Sequence, residues 1–165
     1  FAIKTGVVKN LPELPSGISD RIMSVRVPIS PTEFITMIRV YATTLVQPQE
    51  EIDSFYDALR FVLSNVCVND KLVLMGDFNA RVGSDASTWS CLGSHGIGGC
   101  NKNGIMLRQL CEEFYLKIES TRFRQKSKWK TTWKHPRSGH RHMIDFVIVR
   151  KRDMQDLSVR CLRGD

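Results

Sequence analysis

The residues best suited to chemistry form a short run, Gly76-Asp77-Phe78-Asn79, behind four apolar residues, Leu72-Val73-Leu74-Met75. Such an apolar run reads as a buried strand. Gly76 marks a place where the backbone turns sharply or another group comes close. If extended geometry continues past it, Asp77 and Asn79 point to one side and Phe78 points to the other, into the core. An acid/base and a polar hydrogen-bonding group then share the mouth of a buried strand, as phosphate-ester chemistry requires. Asp145 is the second conspicuous acid, set within Met143-Ile144-Asp145-Phe146-Val147-Ile148-Val149. A carboxylate buried in such a strand needs a partner, because an unpaired buried charge is costly. A structural aspartate paired to a nearby arginine would meet that need as well. Tyr41 closes the β-rich segment Phe34 to Tyr41, and its phenol can donate one hydrogen bond from a stiff ring. A core tyrosine at a strand end would look the same in sequence.

Several elements must position these groups. Phe34, Thr36, Ile38 and Val40 share one face of their strand. Ile22 to Ile29 alternates as a strand with Val25, Val27 and Ile29 on one side, and Pro28 places it at an edge or an end. Residues 1–9 read as a strand edge, and Asn10 to Ser19, with Pro12, Pro15 and Gly17, as a loop. Glu50 to Val66 has helical spacing, with Ile52, Phe55, Leu59, Val62, Leu63 and Val66 on one stripe. Glu50, Glu51 and Asp53 suit the positive end of that helix and read as structural. A second helix spans Asn103 to Tyr115, with Met106, Leu107, Leu110, Cys111 and Phe114 inward, before a short strand from Leu116 to Ser120. A helix between two apolar strands implies α/β layering. The segment Arg81 to Asn103 is long and irregular, a length that is often functional. Its Cys91, His95 and Cys100 carry zinc-type donors, but the spacing matches no common site and no fourth ligand is evident.

Thr121 to Arg141 is the basic heart of the chain. Arg122, Arg124, Lys126, Lys128, Lys130, Lys134, Arg137 and Arg141 lie there without one acid, interleaved with Phe123, Trp129, Trp133, His135 and His140. Cations of this kind bind phosphates, and aromatics stack on bases or wedge into a groove. The competing reading is a half-exposed strand, with Lys126, Lys128 and Lys130 outward and Trp129 inward. Pro136 and Gly139 predict a turn, hence a hairpin between Trp133 and Met143. Arg150-Lys151-Arg152 and the tail read as surface helix and loop.

Composition sets the bounds. The 165 residues, 42% of them hydrophobic, suit one domain with a real core. No apolar run of about 18 residues exists to cross a membrane as a helix. From Lys117 to Asp165 there are 14 Lys/Arg against 5 Asp/Glu, and before it 10 against 12. That asymmetry suggests a polyanion-facing surface, with a solvated basic face as the bland alternative. Cys67, Cys91, Cys100, Cys111 and Cys161 are an odd set without framework spacing, which favours reduced thiols and a nuclear or cytoplasmic setting rather than secretion. The opening Phe1 to Gly6 is too short an apolar stretch for a signal peptide. It lacks an initiator Met, so a piece of a longer chain is expected.

Gly76-Asp77-Phe78-Asn79 resembles the signature of the endonuclease/exonuclease/phosphatase family. Met143 to Val149 resembles that family's late strand, and Val40-Tyr41-Ala42 its strand-end tyrosine, all in family order. Asn10-Leu11-Pro12-Glu13-Leu14-Pro15, Gly76 to Gly83, Phe123-Arg124-Gln125-Lys126 and His135-Pro136-Arg137-Ser138 extend the likeness over nearly the whole chain. They look similar to endonuclease domains of RTE-type non-LTR retrotransposons and to craniofacial development protein 2-like sequences. The resemblance implies an α/β (α+β) two-sheet sandwich flanked by helices. It also implies a DNA endonuclease using Mg²⁺ or Mn²⁺, with a reverse transcriptase domain as a possible companion in the same longer chain. By that likeness Asp77 positions or deprotonates water and, with Asn79, holds the metal. Tyr41 and Asn79 hydrogen-bond the phosphate, and Asp145 orients a catalytic histidine. The hairpin residues Lys134, His135, Arg137, His140 and Arg141 meet DNA. The family's early asparagine and glutamate have no counterpart here, nor does its closing aspartate-histidine pair, since all four histidines precede Asp145. The expectation is therefore a domain truncated at both ends, with little or no activity alone. Two rivals stand beside it. One is a non-catalytic nucleic-acid-binding remnant; the other keeps the fold but hydrolyses inositol phosphates or sphingomyelin. The basic aromatic hairpin favours nucleic acid.

Overall fold

The computed structural model describes residues 5–126, 129–156 and 159. Its class is mixed α/β, as the strand–helix–strand pattern implies. Six strands form the main sheet: β1 (Ser16–Gly17), β2 (Ile22–Pro28), β3 (Phe34–Tyr41), β4 (Lys71–Asp77), β5 (Leu116–Ile118) and β8 (Asp145–Arg150). Their order is β1-β2-β3-β4-β8-β5, with β3 and β4 parallel and every other pair antiparallel. The parallel step needs a crossover, and helix α2 (Gln49–Ser64) supplies it. Helix α3 (Lys102–Glu113) precedes β5. Strands β6 (Trp133–Lys134) and β7 (Arg141–His142) pair as a separate hairpin, which is the expected one.

Alternation along the strands builds the core. Ile38, Val40, Leu72, Leu74, Phe146 and Ile148 pack with Ile52, Phe55, Tyr56 and Leu59 of α2 and Leu107 and Leu110 of α3 in one cluster. On the opposite face of β3, Ile35 and Met37 are partly buried and Arg39 and Tyr41 exposed. One glycine allows the central strands to close at their ends. Gly76 has φ +141°, and a Cβ there would stand 2.0 Å from the Val40 carbonyl oxygen.

Three expectations are corrected. Residues 5–8 form a single helical turn, α1 (Thr5–Val8), while residues 1–4 lie outside the described residues. β1 occupies the β2 edge that a strand over residues 1–9 could have taken. β2 ends at Pro28, which leaves Ile29 exposed. The proposed Lys126/Lys128/Lys130 alternation is not seen: Lys128 lies outside the described residues, Trp129 is 39% exposed, and the Lys130 ammonium turns in to donate to the His95 carbonyl at 2.6 Å. The basic tail is also more committed than it looked. Arg150 donates to the carbonyls of Cys67, Val68 and Asp70, and Arg152 to those of Val68 and Asp70.

Candidate active site

Pairing sets three of the chosen residues in one row. Tyr41 stands opposite Asp77, and Asp77 opposite Asp145, across β3, β4 and β8. All three line a cavity of about 490 Å³, together with Arg39, Trp129 and Lys130. Tyr41 is 51% exposed, so it is not a core tyrosine. Asp77 is partly buried, and burial pushes its carboxyl above the usual range. The backbone N–H of Asn79 opposes that shift, and the neighbouring Asp145 adds to it. Asp145 departs from expectation. β8 begins at this residue, so its carboxylate sits at the strand mouth, partly exposed, and the interior of the sheet starts at Phe146. Among the described residues no ion pair engages it. Its backbone N–H donates to Thr132 Oγ1 at 3.3 Å, which ties it to the base of the hairpin.

Asn79 reaches Asp77 by another route than the one expected. The strand ends at Asp77, and Asn79 takes a left-handed φ of +46°. Phe78 is fully buried, as alternation predicts, and its N–H donates to the Ile144 carbonyl at 2.9 Å. The Asn79 N–H donates to Asp77 Oδ1 at 2.8 Å, and its Nδ2 donates to the Ala42 carbonyl at 2.8 Å. Asn79 therefore presents Oδ1 to the surroundings. It lines a second cavity of about 320 Å³ with Arg81, Trp133, His135 and His142. The free oxygen of Asp77, the Asp145 carboxylate and Asn79 Oδ1 are hard donors, a chemistry that suits Mg²⁺ or Mn²⁺ better than a thiolate-seeking ion. No group of three His, Cys, Asp or Glu is placed to hold a metal among the described residues. Asp77 and Asp145 line the first cavity and Asn79 the second, so no assembled coordination shell is present among the described residues.

The hairpin borders the second cavity. Lys134, Arg137, His140 and Arg141 are exposed, and none of the three cations is in an ion pair among the described residues. His135 is partly buried and does structural work: its Nδ1 accepts the N–H groups of Arg137 at 3.2 Å and Ser138 at 3.1 Å, closing the turn. Trp133 is 40% exposed and stacks on His142, ring centroids 5.7 Å apart. Burial lowers the pKa of His142, and Arg81, His140 and His135 depress it further. Cys91 lies in the core and Cys100 at the surface, with the His95 N–H bonded to the Thr121 carbonyl; the three do not converge.

Sequence reasoning missed Arg39, Trp129 and Lys130 as wall residues of the first cavity, and Arg81 and His142 in the second. Arg39 had a signal, since it stands two places before Tyr41 on the same strand face. The other placements depend on where loops fold back.

No family model matches the chain. It is 36% identical over 134 residues to craniofacial development protein 2 of Bos taurus and 34% identical over 134 residues to that of Tragulus javanicus. Each match covers 81% of this chain but only 22% and 23% of the relative, so the chain spans about a fifth of their length. Among solved structures, the endonuclease domain of TRAS1, a telomere-specific non-LTR retrotransposon, is 22% identical with a TM-score of 0.58, covering 84% of this chain and 54% of that one. The 3′ phosphatase NExo from Neisseria, bound to a product DNA hairpin, is 22% identical with a TM-score of 0.56, covering 88% and 58%. An endonuclease/exonuclease/phosphatase protein from Beutenbergia cavernae is 18% identical with a TM-score of 0.51, covering 79% and 32%. The fold is the endonuclease/exonuclease/phosphatase fold. Within it the row Tyr41–Asp77–Asp145 lies at the strand ends.

Proposed function

We propose that this chain contributes the strand-end half of a site that hydrolyses DNA phosphodiesters with Mg²⁺ or Mn²⁺. The observation that carries the reading is the row Tyr41–Asp77–Asp145, open to solvent and joined to the base of the basic hairpin through Thr132, whose Oγ1 accepts the Asp145 N–H. Asp77, open to the first cavity and anchored through Oδ1 by the Asn79 N–H, can position the attacking water. The Tyr41 phenol donates to a phosphate oxygen as negative charge grows on it. A hard divalent cation, held by Asp77 and Asn79 Oδ1 with help from outside this set, would stabilise the phosphorane-like charge and the leaving oxygen. Asp145 would orient a histidine or share the cation. Lys134, His135, Arg137, His140 and Arg141 form the DNA-facing surface. A DNA substrate in turn favours a nuclear or cytoplasmic setting. The isolated 165 residues should nick weakly or not at all, because the solved chains contain nearly as much fold again beyond the matched part.

The test is relaxation of supercoiled plasmid with Mg²⁺ or Mn²⁺, wild type against Asp77→Asn, in the 165-residue chain and in the longest protein that contains it. Nicking lost in the variant supports the reading; equal nicking by both overturns it. DNA binding without nicking in either form favours a non-catalytic nucleic-acid-binding module instead. Neutralising Lys134, Arg137 and Arg141 to Gln should weaken DNA binding and flatten its salt dependence by roughly one unit of slope per residue.

A further inference from the structure

We infer that the first turn of α3, Asn101-Lys102-Asn103-Gly104, is a clamp that positions Asn79, with Asn103 as its central residue. The inference rests on the reading of Asn79 as part of the phosphodiester site.

Asn enters the left-handed region more readily than most residues with a Cβ, and it keeps that one conformation where its surroundings hold it. At Asn79 they do so from four sides. Asp77 takes its N–H and Ala42 takes its Nδ2. Its carbonyl, the remaining polar group of the backbone, is met by Asn103 Nδ2 at 3.3 Å and Asn101 Nδ2 at 3.4 Å. Asn103 Nδ2 also donates to the Thr43 carbonyl at 2.9 Å. One buried amide therefore joins the turn carrying Asn79 to the chain that leaves β3 just after Tyr41.

The rest of the first turn is built to come this close. Asn101 caps α3: its Oδ1 accepts the N–H of Gly104 at 2.8 Å and, from the catalytic turn, the N–H of Arg81 at 2.9 Å. Asn101 N–H donates to the Arg81 carbonyl at 3.1 Å. A Cβ on Gly104 would lie 1.8 Å from that carbonyl oxygen, so only glycine fits. From behind, the Tyr56 hydroxyl donates to the Asn103 carbonyl at 3.0 Å. Asn103 is fully buried, yet its Oδ1 has no partner among the described residues. A buried polar atom left unpaired is unfavourable. Asn103 is thus held at that position for what its amide donates. The consequence for the site is direct: with the turn fixed, Asn79 Oδ1 has one direction in which to face a cation or a water.

The experiment is solution NMR on the 165-residue chain, without DNA or metal, comparing Asn103→Ala and Asn103→Leu with wild type. Leu keeps the heavy-atom count and branching of Asn, with bulkier methyl groups, and removes both donors. The readouts are amide exchange and Cα/Cβ shifts of Asn79, with the Leu74 amide in β4 as the internal standard. Expected for both variants is at least tenfold faster Asn79 exchange and shifts that leave the left-handed range, with Leu74 protection unchanged. An Asn79 that stays as in wild type overturns the clamp. So does recovery of wild-type behaviour in Asn103→Leu alone, which would show that volume matters and donation does not. If one variant fails to fold, the other carries the comparison. In any form of the protein that nicks DNA, the clamp further requires a lower kcat at unchanged DNA affinity. Absence of nicking in the longest protein that contains the chain would sink the phosphodiester reading and leave the NMR result to decide the clamp.

Discussion

Strand β4 is bounded by two aspartates, and they are held in opposite ways. Asp70, just before the strand, is closed off: Arg26 Nε and Nη2 reach its two oxygens at 2.7 and 2.9 Å, and Thr36 Oγ1 adds a third bond at 2.8 Å. Its side chain is 3% exposed, and the Arg26 guanidinium holds its carboxyl below the usual range. Asp77, at the far end, receives one backbone N–H, faces another carboxylate across the strand pair, and has its carboxyl pushed up by burial. Both are partly or fully withdrawn from water. What separates them is the company of a cation. A carboxylate satisfied on every side is a rivet; one left short of positive charge is available to a proton or a metal.

That contrast can be broken at either end. The largest expected effect is on catalysis. Asp77→Asn should lower nicking on the order of 10³-fold in any active form of the protein, as loss of an acid/base group does, while Asp70→Asn should leave kcat unchanged in protein that remains folded. Next comes Gly76→Ala, which forces a Cβ against the Val40 carbonyl at a positive φ. It should destabilise by about 3 kcal/mol or more in denaturant unfolding. Asp70→Asn follows, at about 2 kcal/mol, less than a fully buried pair because the Arg26 side chain is 39% exposed. The pH dependence has a definite sign. The folded pKa of Asp70 is lowered, so its contribution is present above the ordinary value of 3.8 and is lost as pH falls through the folded value. For Asp77 the sign reverses. Its folded pKa is raised, so its charge costs stability at neutral pH, and that cost fades as pH falls through the folded value towards 3.8. Asp77→Asn should therefore stabilise slightly at neutral pH in denaturant unfolding. A loss of stability in that variant would place Asp77 with the rivets.

The sequence made the elements legible because their periods are local. The stripe Ile52, Phe55, Leu59, Val62, Leu63 could only be one helix face, and Phe34 to Tyr41 one strand. Tyr41, Asp77 and Asp145 could be chosen from residue type and setting, yet nothing in the order of residues put them in one row; that comes from β8 entering beside β4. Asn79 shows where alternation fails. The rule that i and i+2 share a face holds only while the backbone stays extended, and Asn79 is already in a turn held by Asn101 and Asn103, more than twenty residues later. Asp145 was expected to be buried because it is surrounded by apolar letters, but the strand starts on it, and one place decides between interior and mouth. Charge counting was coarse for a similar reason. Arg122 is bound to the buried Glu119, and Arg150 and Arg152 to backbone carbonyls, so these cations of the basic third already have partners within the fold.

The position of β8 between β4 and β5 also governs how the chain can be made. On a ribosome, residues 71–77 emerge long before residues 145–150, and β5 emerges between them. Until β8 arrives, β4 has a bare edge on one side and β5 has no strand to pair with. The Arg150 bonds to Cys67, Val68 and Asp70, which bridge 83, 82 and 80 positions of sequence, form last for the same reason. Non-local pairing of this kind is slow, and an unpaired apolar edge invites another copy to supply the missing strand. A nascent chain halted before Asp145 should therefore be prone to aggregate, and the late strand is what covers the bare edge of β4 and brings β5 into the sheet.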